Sequence, residues 1–112
     1  MKIHKTLTPS HWFQFSLFEQ LANVGCDIER TIYWKNNGNL GYSKQAFERA
    51  LELLDLTVAD PKNKGPRLKE ILRVREALVD YFVYDNEYNT SDTLWQQYFF
   101  DFNYAAALAR GK

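Results

Sequence analysis

The chain has 112 residues, 46% hydrophobic and 25% charged, with one cysteine. One globular domain with enough apolar surface for a core follows from that length and composition, and a disulfide within the chain is excluded. Its 14 basic and 14 acidic residues leave no net charge, which removes a general electrostatic grip on nucleic acid.

Periodicity predicts four helices and no strands. The first covers residues 10–36, where Leu17, Leu21, Val24, Ile28 and Thr31 recur at helical spacing. Thr8-Pro9-Ser10 is a start signal, with Ser10 as the expected cap of the orphan amides. A helix of about 26 residues spans roughly 40 Å and needs neighbours along its length. Gly25 in mid-helix costs about 1 kcal/mol against alanine, and its expected reason is close approach of another helix.

The second helix, 43–59, follows the break NNGNLGYS. Ser43 is the expected cap, with Tyr42 and Phe47 spaced as a hydrophobic staple. Phe47, Ala50, Leu51, Leu54 and Val58 share one face, and the helix stops before Pro61.

The third helix, 66–84, follows the connection DPKNKGP, and Pro66 suits its first turn. Leu68, Ile71, Leu72, Leu78, Val79 and Phe82 form its apolar stripe, but Arg75 interrupts it. A lone buried guanidinium is too costly, so Arg75 is expected to be paired. Its candidate partners are Glu29 on the first helix and Asp55 on the second. Glu29, Asp55 and Arg75 then form a buried polar cluster that fixes helix register, or a small site for an anionic ligand.

The fourth helix, 91–109, follows DNEYNTS, begins beside Asp92 and ends at Gly111. Trp95, Tyr98, Phe102, Ala105, Ala106 and Ala109 form its expected core stripe. Phe100, Tyr104 and Leu108 make a second row at i+4 spacing. The row predicts a contact surface for a second copy of the chain, as a homodimer, or for another protein, unless residues 85–91 fold back over it. Of the 18 aromatic residues, Phe18, Phe47, Phe82, Trp95, Tyr98 and Phe102 are assigned to the core. Connections of six or seven residues then predict an all-α, antiparallel up-down four-helix bundle.

Charge is unevenly spread. Lys62, Lys64, Arg67, Lys69, Arg73 and Arg75 crowd residues 62–75 against Glu70 alone, while residues 76–92 carry five acids and no base. The basic segment reads first as a solvated face and second as a phosphate or RNA contact.

Several chemistries lack their residues. His4 and His11 stand apart from any zinc or di-iron spacing, and no phosphate-binding glycine loop is present. No catalytic residue, metal or cofactor is therefore expected, and Cys26 reads as a small, half-buried side chain. No run of about 18 apolar residues occurs, so no membrane span is expected. The opening MKIHKTLTPSHW lacks the apolar stretch of a signal peptide, and the cytoplasm is the expected compartment.

The stretch GYSKQAFERALELLDL, residues 41–56, resembles the second helix of the HEPN group of small prokaryotic four-helix bundles, where a small-residue turn precedes an alanine-rich amphipathic helix. Ribonucleases of that group carry an arginine followed a few residues later by histidine. No histidine follows any arginine here, so the resemblance implies the non-catalytic branch, whose members bind small nucleotidyltransferases. The chain is also similar to the ribosomal-intervening-sequence and retroelement-accessory bundles, which are oligomeric and RNA-associated but usually more basic. The expected function is a protein-interaction module, self-associating through the last helix. The alternative is an RNA- or nucleotide-associated accessory protein using residues 62–75.

Overall fold

The computed structural model describes residues 8–110, apart from the side chain of Arg110. His4 and Gly111 lie outside the described residues. The fold is all-α: a short helix α1 (Pro9–Trp12) and four long ones, α2 (Leu17–Asn36), α3 (Leu40–Ala59), α4 (Pro66–Phe82) and α5 (Asp92–Arg110).

The expected first helix is in fact two. Ser16 is extended at φ −66°, ψ 163°, and it ends the run. Its hydroxyl accepts from the Glu19 amide at 3.1 Å, while the Glu19 carboxylate accepts from the Ser16 amide at 2.9 Å. This reciprocal capping box satisfies two orphan donors and fixes the start of α2. Thr8, not Ser10, caps α1, accepting from the His11 amide at 3.2 Å.

Helix α3 starts three residues before the expected cap. Asn39 accepts from the Tyr42 amide at 3.0 Å, and Gly38 at φ +80° turns the chain out of α2. Ser43 lies inside the helix, where its buried hydroxyl donates to the Thr31 carbonyl at 2.8 Å. It fastens α3 to α2 instead of capping α3. Helix α4 ends at Phe82, two residues earlier than its pattern predicts.

Helix α2 packs along both α3 and α5, α3 also packs on α4, and α1 lies against α3. Contacts join the end of one helix to the start of the next. The end of α2 meets the start of α3 through Thr31 and Ser43. The start of α3 meets the end of α4 through Phe47 and Phe82, with ring centroids 5.0 Å apart. The start of α2 meets the far half of α5 through Phe18 and Phe102, 5.9 Å apart. Successive long helices therefore run antiparallel, as in an up-down bundle.

The core gathers Leu21, Val24, Ile28 and Ile32 of α2 with Phe47, Ala50, Leu53 and Leu54 of α3. Ile71, Val74 and Leu78 of α4, Trp95 and Phe99 of α5, and Trp12 of α1 close it. Of the expected core positions, Phe18 and Leu72 are about half exposed and Ala109 is exposed. Phe99, absent from the expected stripe, is the α5 residue that fills the space over Gly25. No helix among the described residues is long and apolar enough to cross a membrane.

Candidate functional site

Helix α5 leans on α2 with one face, Trp95, Phe99 and Ala106, and turns the other outward. Phe100, Tyr104 and Leu108 are 57%, 58% and 50% exposed. The rings of Phe100 and Tyr104 lie nearly parallel, 6.3 Å apart. The loop of residues 85–91 does not cover this row, because it is tied to α4. Asp80 accepts from the amides of Glu87 and Tyr88 at 2.8 and 3.0 Å, and Tyr88 donates to Glu76 at 2.7 Å.

Beside the row, α2 and α5 enclose an open cleft of about 560 Å³. Its α2 side is Ala22, Gly25, Cys26 and Glu29; Phe100 and Asn103 face them from α5. Cys26 is exposed, not half-buried as expected. Between Thr93 and Ala109, Asp101 is the lone charged residue of α5. The outer surface of the helix is thus nearly neutral.

The expected buried cluster of Glu29, Asp55 and Arg75 is not assembled. Arg75 does meet Asp55, Nε to Oδ1 at 2.8 Å, but the two side chains are 34% and 62% exposed. Glu29 is exposed and lines the α2–α5 cleft instead. The reason lies in the phase of α4. Its buried row is Ile71, Val74, Ala77 and Leu78, while Leu72 is exposed and Val79 is half-buried. Arg75 therefore interrupts an outward edge, where its head reaches water and Asp55 together.

The buried polar cluster lies elsewhere. Gln20, Asp60, Asn63 and Thr57 are each no more than 3% exposed. Gln20 Nε2 donates to the Trp12 carbonyl at 3.1 Å and to Asp60 Oδ2 at 2.8 Å. Asn63 Nδ2 donates to Gln20 Oε1 and to the Thr57 carbonyl, each at 3.0 Å. Trp12 Nε1 donates to Thr57 Oγ1 at 3.1 Å. Lys62 closes the group, its ammonium bonding Asp60 and the Phe13 carbonyl. Burial alone would raise the Asp60 carboxyl, but the bonds from Lys62 and Gln20 outweigh it and hold the group below the usual carboxylate range. This network pins α1 and the 60–63 connection onto the start of α2. One sequence signal could have found it: Gln20 shares its helix face with Val24, Asp27 and Thr31, a polar start to a buried row.

The basic segment divides under this geometry. Lys62 is engaged with Asp60, Arg73 with Glu70 at 2.8 Å, and Arg75 with Asp55. Lys64, Arg67 and Lys69 are exposed and take part in no ion pair among the described residues. They surround the start of α4, where Gly65 offers no side-chain cap. Among the described residues no three side chains of the metal-binding types converge on one point.

No protein-family model matches the chain, no curated protein matches it, and no solved structure matches its fold.

Proposed function

We propose that the chain is a small cytoplasmic interaction module that self-associates through α5. The observation that carries this reading is the exposed row Phe100, Tyr104 and Leu108 on a nearly uncharged face. Apolar rows of this kind on small proteins are the usual mark of an interface. The second copy is favoured by self-complementarity. An antiparallel pairing of two α5 helices centred on Tyr104 sets Phe100 against Leu108 of the second copy, about 6 Å along the axis on either side. Ala107, exposed beside the row, lets the two backbones approach. A stable dimer buries about 800 Å² per partner, more than three side chains supply, so the cleft edge at Cys26 and Glu29 joins the contact.

Sedimentation equilibrium across the micromolar range tests this. The wild-type chain is expected to run as a dimer and Tyr104→Asp as a folded monomer. A wild-type monomer at the highest concentration overturns the reading.

A second reading rests on Lys64, Arg67 and Lys69, three exposed bases around one helix start that take part in no ion pair among the described residues. They support an RNA- or nucleotide-associated accessory role. Affinity for a single-stranded RNA would then fall steeply with salt, and neutralising the three bases would flatten that slope.

A further inference from the structure

We infer that the groove on the outer side of α4 binds a cationic segment of another protein, an arginine flanked by aliphatic residues. The groove holds about 690 Å³ and shares no residue with the α2–α5 cleft, so the inference stands apart from the self-association reading. Its apolar surface comes from Leu72 and Val79 on α4 and from Tyr84 and Tyr88 in the following loop. Leu72, Tyr84 and Tyr88 are 47%, 72% and 55% exposed.

The aromatic wall is built in place. Asp80 holds the loop by the amides of Glu87 and Tyr88. Asn86 and Asn89 take left-handed backbone conformations, φ 55° and 56°, to make the turn, and Asn86 bridges to Thr90 at 2.9 and 3.0 Å. The Tyr88 hydroxyl is fixed on Glu76. Little ordering is left for a ligand to impose.

The charge of the groove selects the ligand. Glu76, Asp80 and Glu87 line it, and the sole lining base among the described residues, Arg75, is already bonded to Asp55. Residues 76–92 contain no other base. Glu87 is exposed and belongs to no ion pair among the described residues. Carboxylates beside exposed tyrosine faces suit a guanidinium, which bonds the acid through its planar fork and stacks on the ring. Aliphatic neighbours of that arginine would cover Leu72 and Val79. Nucleic acid is repelled by the same carboxylates.

The test uses the full chain and a fluorescent 14-residue amphipathic peptide of leucine and arginine, with its leucine–glutamate counterpart as control. Anisotropy is expected to show saturable binding of the arginine peptide and at least tenfold weaker binding of the glutamate peptide. E76K/E87K, and separately L72D, are expected to weaken binding at least tenfold, while Tyr104→Asp leaves it unchanged. Circular dichroism checks that each variant is folded. Amide shift changes on binding should cluster at Leu72, Val79 and Tyr84. The inference is overturned by absent binding, by equal binding of both peptides, or by affinity unchanged in the folded variants. It is also overturned if the wild-type chain self-associates without peptide and E76K/E87K does not, since the groove would then belong to a second copy.

Discussion

A Cβ built on Gly25 would lie 2.7 Å from the Cβ of Phe99. Helices α2 and α5 meet at that point, with Phe99 seated directly on the bare backbone. The Gly25→Ala variant therefore sets two effects against each other. Helix propensity favours alanine by about 1 kcal/mol. The clash involves the root of the Phe99 side chain, not its mobile end, so α5 must move outward, and overpacking of this kind costs about 1–3 kcal/mol. We expect net destabilisation by about 1 kcal/mol in urea unfolding, with faster amide exchange concentrated in α5. Phe99→Ala alone should cost about 3–5 kcal/mol, and combining the two should cost less than the sum, because the alanine at 25 then fills vacated space. A more stable Gly25→Ala variant would show that the crossing is looser than 2.7 Å implies.

Asp60 predicts an acid-sensitive fold. Its carboxyl is held below its ordinary value of 3.8 by Lys62 and Gln20 against the effect of burial. A carboxyl with a lower value folded than unfolded binds fewer protons in the folded state, so it adds stability above its unfolded value. That stability is lost as pH falls through the folded value. Asp92 and Glu70 are shifted the same way, Asp92 because Lys35, Tyr81 and Asn36 outweigh burial and Glu70 chiefly through Arg73. The urea midpoint of the wild-type chain should fall steeply below about pH 4. Asp60→Asn should be less stable at pH 7, since Lys62 and Gln20 lose their anion, yet show a shallower decline on acidification. Equal slopes for both proteins would remove Asp60 from the acid response.

The architecture was legible where periodicity was strong. The row Leu21, Val24, Ile28 is apolar at helical spacing, and Gly25 in its midst announced a close neighbour. The end of the first helix run was legible too, in the spacing of Ser16 and Glu19, but a helix pattern that continues on both sides hides a capping box within it. Phe99 and Arg75 were misplaced for a shared reason. Helices α4 and α5 carry apolar residues on more than one face, so the sequence admits two phases, and tertiary packing on Gly25 and on α3 chooses between them. Gln20, Asp60 and Asn63 are 40 and 43 residues apart across the network. Their polar side chains read as surface until the 60–63 connection is seen to tuck under α1.

The Arg75–Asp55 pair should contribute little to stability. Its carboxylate is 62% exposed and its guanidinium 34%, so solvent screens the attraction and both long side chains lose freedom. Arg75→Ala is expected to shift stability by at most about 1 kcal/mol, and raising the salt concentration should erase the difference. Asp60→Asn supplies the internal comparison, because the same type of pair is 3% exposed on its carboxylate side. An Arg75→Ala loss as large as that of Asp60→Asn would mean that Arg75 supports packing beyond its ion pair.

Asp92 anchors the start of α5 to the ends of two other helices. Lys35 Nζ donates to its Oδ1 at 2.7 Å, the Tyr81 hydroxyl to the same oxygen at 2.6 Å, and Asn36 to Oδ2 at 3.2 Å. The Lys35 ammonium also sits 4.9 Å from the centre of the Tyr81 ring. The carboxylate lies in the first turn of α5, where the helix dipole favours it. Removing it leaves a two-thirds-buried lysine and a tyrosine hydroxyl without their shared acceptor. Asp92→Ala is therefore expected to cost about 2–3 kcal/mol, more than an exposed pair. Asp92→Asn, which keeps an acceptor but not the charge, should cost less. Because α5 is held chiefly by α2, the loss should appear first as faster amide exchange from Asp92 to Phe99, with α3 and α4 still protected. If exchange rises evenly across all four long helices, α5 unfolds only with the whole domain, and the anchor serves global stability alone.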